Sequence, residues 1–123
     1  MSVTPILFIA STRPDEARAF YAEVMGFALT DDNPFSLEFD AAGTMLRVQK
    51  VETFEPHPFT AIGWQVENIA AERERLFDRG ARFVAFEFLD QDERDIWTAP
   101  DGARVCWMTD PDGNTLSLTQ VAV

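Results

Sequence analysis

The chain has 123 residues, 46% of them hydrophobic, with 11 Phe and 3 Trp, and 10 Lys+Arg against 21 Asp+Glu give a formal charge of -11 at pH 7. This length suits one domain with its own core, and the acidic surplus excludes nucleic-acid backbones and anionic lipid as partners while favouring cationic or neutral ones. The lone Cys106 cannot form an intramolecular disulfide, the start has neither a basic nor a long apolar leader, and no apolar stretch approaches the ~20 residues of a membrane span, so a reduced, cytoplasmic protein is expected.

Ile6 to Ala10 is a short apolar run after Pro5 and reads as a buried strand. Thr12-Arg13-Pro14-Asp15 then offers an N-cap Thr, an acid three residues on, and Pro in the first turn, where its missing N–H costs nothing. Ala17, Phe20, Tyr21, Val24 and Met25 follow as one apolar stripe at helical spacing, and Gly26 supplies the stop. Phe27 to Thr30, Phe35 to Phe39 and Met45 to Val51 are β-favouring runs separated by turn-forming stretches at 31–34 and 40–43. The first half therefore reads βαβββ. Glu52 to Pro58, with His57 between two prolines, has no periodicity and reads as a connector, so modules over residues 1–55 and 58–123 are expected within a single domain.

The order then restarts. Thr60 to Val66 is strand-like, Asn68 caps a charged helix with Ile69, Leu76 and Phe77 inward, and Gly80 ends it. Arg82 to Phe88 reads as the next strand, and the acidic loop from Leu89 to Arg94 has no counterpart of its length in the first half. Ile96 to Thr98 and Ala103 to Thr109 flank a Pro100-Asp101-Gly102 turn, and Thr115 to Val121 closes the chain as a strand. The repeat is plainest at the hairpins: Asp110, Gly113, Leu116 and Leu118 fall at the same spacing as Asp40, Gly43, Leu46 and Val48.

Three pieces, Ala19-Phe20-Tyr21 followed by Gly26-Phe27, the strand and helix from Thr60 to Gly80, and Asp110-Pro111-Asp112-Gly113-Asn114 before a terminal strand, span nearly the whole chain. In that order they resemble the vicinal-oxygen-chelate superfamily, which includes glyoxalase I, extradiol dioxygenases and the bleomycin-resistance proteins. The resemblance implies an α+β fold of two paired βαβββ modules forming a curled mixed sheet around a ligand cleft, with the helices outside. Enzymes of the superfamily hold a divalent metal through His, Glu or Gln side chains from strands of both modules, the donor set that chelation of a vicinal-dioxygen substrate requires. The matching positions here are Ile6, Arg47, Ala61 and Ser117, and a shift of one residue does not recover a ligand quartet. The resemblance thus implies no metal, no cofactor and no metal-dependent catalysis. It leads to the metal-free branch represented by the bleomycin-resistance proteins, acidic and aromatic-lined homodimers that sequester a cationic drug without chemistry.

Within that reading Trp97 and Trp107 offer flat faces for an aromatic or cationic ligand, while the strand parity of Trp64 sets it in the core. Arg47 either grips a ligand carbonyl or carboxylate or forms a salt bridge with one of the many acids. Parity alone leaves Glu38 either outward or facing the cleft. Phe8, Phe39, Gln49, Gln65 and Ser117 complete the candidate ligand-binding set. The acids Asp90, Asp92, Glu93 and Asp95 either draw a cation to the cleft mouth or form a solvated charge run. Cys106 has no basic neighbour to activate it and reads as an inert buried thiol, and Asp101 and Asp112 belong to turns. Two alternatives stand beside the binding protein: a metal-free enzyme using Arg47 and a carboxylate such as Glu38, and a dimeric scaffold that binds nothing small.

Overall fold

The computed structural model describes residues 2–122. It is an α+β protein of two mixed sheets, and the chain divides into two compact units, one holding the chain up to Pro56 together with Pro111–Gly113, the other holding His57–Asp110 and the chain from Asn114 onward. Among the described residues no helix is long and apolar enough to cross a membrane.

The first unit contains β1 (Ile6–Ser11), α1 (Pro14–Ala19) running into a π-helical turn over Phe20–Val24, β2 (Ala28–Asp32), β3 (Ser36–Ala41) and β4 (Thr44–Lys50). Its sheet runs β1-β4-β3-β2, with β1 parallel to β4 and the other pairs antiparallel. Period-two alternation sends Ile9, Leu37, Phe39, Ala41, Leu46 and Val48 to one face, where they are buried. The expectation of a wholly buried first strand is corrected, because Ile6 and Phe8 alternate onto the other face and stand 40% and 49% exposed. The helical stripe Ala17, Phe20, Tyr21 and Met25 is buried as its spacing predicts, and Tyr21 meets Phe39 at 5.8 Å between ring centroids. Val24 is only half-buried, because the π turn bonds the Met25 N–H to the Phe20 carbonyl at 2.9 Å and advances the register by one residue.

Thr12 does not cap the helix as expected. Arg13 occupies that position without a side-chain cap, and the Thr12 backbone N–H and hydroxyl donate instead to Asp112 Oδ1, at 2.8 and 2.9 Å. Ser11 donates its hydroxyl to the other oxygen of Asp112 and accepts the Arg13 N–H at 3.0 Å. Ala42 and Gly43, both at positive φ, make the two-residue connection between β3 and β4, and the Gly43 N–H is held by Asp40 Oδ1 at 2.8 Å.

The second unit contains β5 (Thr60–Gln65), α2 (Ile69–Asp78), β6 (Arg82–Phe83), β7 (Trp97–Thr98), β8 (Arg104–Thr109) and β9 (Thr115–Gln120). The strands run β5-β9-β8-β6, with β5 parallel to β9 and β7 pairing β8. Asn68 caps α2 by accepting the Ala71 N–H at 3.1 Å, and the helix gives way to Gly80 at φ +100°. Two expectations are corrected. The strand expected from Arg82 to Phe88 is a strand only over Arg82–Phe83, with one further bond from the Val84 N–H to the Trp107 carbonyl at 2.9 Å before the chain leaves the sheet. The inward position expected for Phe77 belongs to Arg73: Phe77 is 51% exposed and Arg73 8%. With Ile69 and Leu76, Arg73 completes an i, i+4, i+7 stripe. Its guanidinium lies 4.4 and 5.0 Å from the ring centroids of Phe77 and Phe83 and pairs with Glu74 and Asp95 at 3.1 and 3.3 Å.

Candidate ligand-binding site

Each sheet buries one face, and the candidate ligand-contacting residues other than Phe39 lie on the other. In the second unit that face follows from the register of β8 and β9, where Trp107 pairs with Ser117 and Cys106 with Leu118. Cys106, Met108, Leu116 and Leu118 take the buried side, joined by Ile62 and, beside Leu118, the half-buried Trp64. Trp107, Ser117 and Gly63 take the opposite side, where Trp97 pairs with Val105. A Cβ at position 63 would sit 2.6 Å from Ser117 Oγ, so a side chain there would force that hydroxyl to turn away.

The aromatic rings on this side are contiguous. Trp97 and Trp107 lie 6.2 Å apart and tilted by 35°, Phe86 meets Trp107 edge-on at 5.3 Å, and Phe86 contacts Phe88 at 5.4 Å. Trp107 donates its indole N–H to Thr60 Oγ1 at 3.2 Å, which fixes the ring plane. A cavity of about 290 Å³ opens beside Trp97, lined also by Asp90, Gln91, Asp92, Ile96 and Thr98.

The acidic loop is internally braced rather than a plain charge run. The Gln91 side chain accepts the Phe86 N–H at 2.7 Å and donates to the carbonyls of Val84 and Asp95 at 3.0 and 2.8 Å. Asp92 Oδ1 holds the N–H groups of Arg94 and Ile96, and Asp95 pairs with Arg73. Asp90 has no partner among the described residues. These bonds set the approach of the chain to Trp97. Gln91 is the residue that sequence reasoning passed over, since an amide inside a loop gives no periodic signal.

In the first unit the non-buried face carries a cross-strand row. Phe8 on β1 pairs with Arg47 on β4, Arg47 with Glu38 on β3, and Glu38 with Asp31 on β2. The structure thus turns Glu38 to the Arg47 side, where Arg47 Nη2 lies 2.9 Å from Glu38 Oε1 and the guanidinium carbon lies 5.5 Å from the Phe8 ring centroid. Gln49 and Ser36 sit one pair along on the same face, and with Phe8, Phe35, Glu38 and Arg47 they line a cavity of about 350 Å³. Phe39 is not part of this row: it is fully buried on the opposite face against Tyr21. Gln65, paired with Thr119, is exposed and lines neither cavity. His57 stacks on Phe59 at 4.9 Å and joins neither group.

These residues do not fit a divalent metal. The strand partners of Arg47 and Ser117 on β1 and β5 are Phe8 and Gly63, and the one carboxylate directly beside Arg47 already pairs with its guanidinium. Among the described residues no three His, Cys, Asp or Glu cluster as a metal site would need. Burial pushes the Cys106 thiol up to about 12, which keeps it protonated and unreactive near neutral pH.

The fold has many solved counterparts. A glyoxalase family protein from Bacillus anthracis is 17% identical with a TM-score of 0.76, over 99% of this chain and 97% of that one. TnmS3, an antibiotic binding protein from Streptomyces sp. CB03234, is 23% identical with a TM-score of 0.73, over 99% and 98%. FosX, a fosfomycin resistance protein from Listeria monocytogenes, is 12% identical with a TM-score of 0.76, over 100% and 96%. No curated protein matches the chain in sequence. At these identities the structural likeness carries the fold alone, whereas the sequence profile described as glyoxalase-like domain matches residues 6–119, nearly the whole length, and the chain therefore belongs to the glyoxalase-like domain family.

Proposed function

We propose that this protein is a small-molecule binding protein that takes a flat aromatic ligand carrying positive charge, of the antibiotic-sequestering type, and performs no metal-dependent chemistry. The observation that carries the reading is the contiguous aromatic surface of Trp97, Trp107 and Phe86 on the unburied side of the second sheet, with carboxylates at its edge. Aromatic faces hold a desolvated cation with roughly 0.5–2 kcal/mol each, and a charge of -11 draws a cation toward the protein. TnmS3 is an antibiotic binding protein of the same fold, which supports this class of ligand. A metal-free enzyme has less support, because the carboxylate such chemistry would use, Glu38, is held 2.9 Å from Arg47.

A thermal-shift screen against bleomycin-like glycopeptides, peptide antibiotics and planar aromatic cations such as proflavine tests the reading. A ligand at 100 times its Kd adds about 2.7 kcal/mol to stability, so a hit is expected among these classes. No shift from any of them would overturn the reading.

The proposed assembly is a homodimer. Val3, Phe59, Phe88 and Val121 are large apolar side chains left exposed, and pairing across a two-fold axis is the common way to cover such surface. Light scattering that returns only the 13.9 kDa monomer at tens of micromolar would contradict it.

A further inference from the structure

We infer that the sheet of the first unit carries a second small-molecule subsite, selective for a neutral carboxamide or lactam borne on an aromatic ring. The inference goes beyond the aromatic face of the second unit and does not depend on it.

It rests on what the row Phe8, Arg47, Glu38 offers. Arg47 uses Nη2 for Glu38 Oε1, with Met45 Sδ at 3.5 Å from the same nitrogen. A guanidinium has five N–H donors, and among the described residues those on Nε and Nη1 have no hydrogen-bond partner. Glu38 Oε2, the Gln49 amide and the Ser36 hydroxyl are likewise without partners among the described residues, and all line the same cavity of about 350 Å³. Donors and an acceptor therefore stand next to one another on adjacent strands, in register, because Glu38 pairs directly with Arg47. An amide presents the complement: its carbonyl accepts from Arg47 while its N–H donates to Glu38.

Charge narrows the choice. The ion pair is neutral as a unit, so a carboxylate brought to Arg47 would meet Glu38 at its side and Asp31 one strand further along the row. A cation brought to Glu38 would meet the guanidinium. A neutral group with one acceptor and one donor avoids both repulsions and leaves neither member of the pair unmatched. The aromatic requirement comes from Phe8 and Phe35, which flank the cavity at 49% and 80% exposure. Phe35 is held there by Asn33, whose Oδ1 accepts the N–H groups of Phe35 and Ser36 at 2.9 Å each while its Nδ2 donates to Asp31.

Three probes of one shape separate the possibilities: 2-naphthamide, 2-naphthoate and 2-naphthamidinium, titrated into the ¹⁵N-labelled protein and followed by amide shifts. Read at the amides of Phe8, Glu38, Arg47 and Gln49, the saturable shifts are expected to give naphthamide at least fivefold tighter binding than either charged probe. Arg47→Met and Glu38→Gln should each abolish that preference, and the dispersion of the same spectra reports whether the variants are folded. Should a variant fail to fold, the ranking of the three probes on the unaltered protein decides alone. Tightest binding by naphthoate or by naphthamidinium at these amides would overturn the inference. So would the absence of saturable naphthamide shifts there, and shifts confined to Trp97 and Trp107 would do so while leaving the proposed function standing.

Discussion

Asp112 accepts the backbone N–H of Thr12 at 2.8 Å, so the tip of a turn near the end of the chain holds the start of its first helix. The turn is itself rigid, because Asp110 Oδ1 holds the Asn114 N–H and Asp110 Oδ2 holds the Asn114 side-chain amide, both at 2.9 Å. The carboxylate thus anchors the residues just before α1, which has no side-chain cap, and also satisfies the buried hydroxyl of Ser11.

Asp112→Ala should therefore destabilise the protein by about 2–4 kcal/mol, as expected for losing charge-assisted bonds and stranding a buried hydroxyl. Asp112→Asn keeps one acceptor oxygen and should cost roughly half of that. Urea midpoints of the two variants check the order, and equal stability of Asp112→Ala and wild type would refute it.

Cys106 gives a pH signature. Its thiol is raised from 9.0 to about 12 by burial, so between those values the unfolded chain releases a proton that the folded chain keeps. The stability from this group is complete below pH 9 and is lost as pH rises toward 12. From pH 8 to 10.5, wild type should lose about 2 kcal/mol more than Cys106→Ala, at about 1.4 kcal/mol per pH unit above the unfolded value. Parallel denaturant curves at the two pH values measure the difference, and identical losses would show that the thiol ionises normally in the fold.

Much of this architecture is legible in the chain, and the places where it is not have physical causes. The stripe from Ala17 to Met25, the Asn68 cap and the duplicated Asp-x-x-Gly turns are local signals, and local interactions form them. The capping of Thr12 by Asp112 is a contact between residues 100 positions apart, and no spacing rule reaches it. The burial of Arg73 depends on Asp95, Phe77 and Phe83 around it, and a charge on a helix gives no local sign of that. The strand beyond Val84 has no edge to join, because β7 pairs β8 at Val105 and Arg104, and the Gln91 side chain takes the Val84 carbonyl and the Phe86 N–H instead. The face of Glu38 becomes clear only from its pairing with Arg47, because a strand read alone has two sides and no label.

The electrostatic part of the proposed binding is separable by rate. A charge of -11 acts over a Debye length of about 8 Å at physiological salt, so the association rate of a cationic ligand such as proflavine should fall as salt rises while its dissociation rate barely changes. Stopped-flow quenching of tryptophan emission measures both. An association rate indifferent to salt would remove the acidic field from the account.

The central claim, that Trp97 and its neighbours hold an aromatic cation, is tested most directly by equilibrium titration of proflavine into wild type, Trp97→Ala and Trp64→Phe. Loss of a stacking face is expected to weaken binding by roughly 1–3 kcal/mol, about 5- to 150-fold. The expected result is saturable binding by wild type, weakened to that extent in Trp97→Ala and unchanged in Trp64→Phe. Equal affinity in Trp97→Ala, or no saturable binding of proflavine to wild type, would contradict the claim.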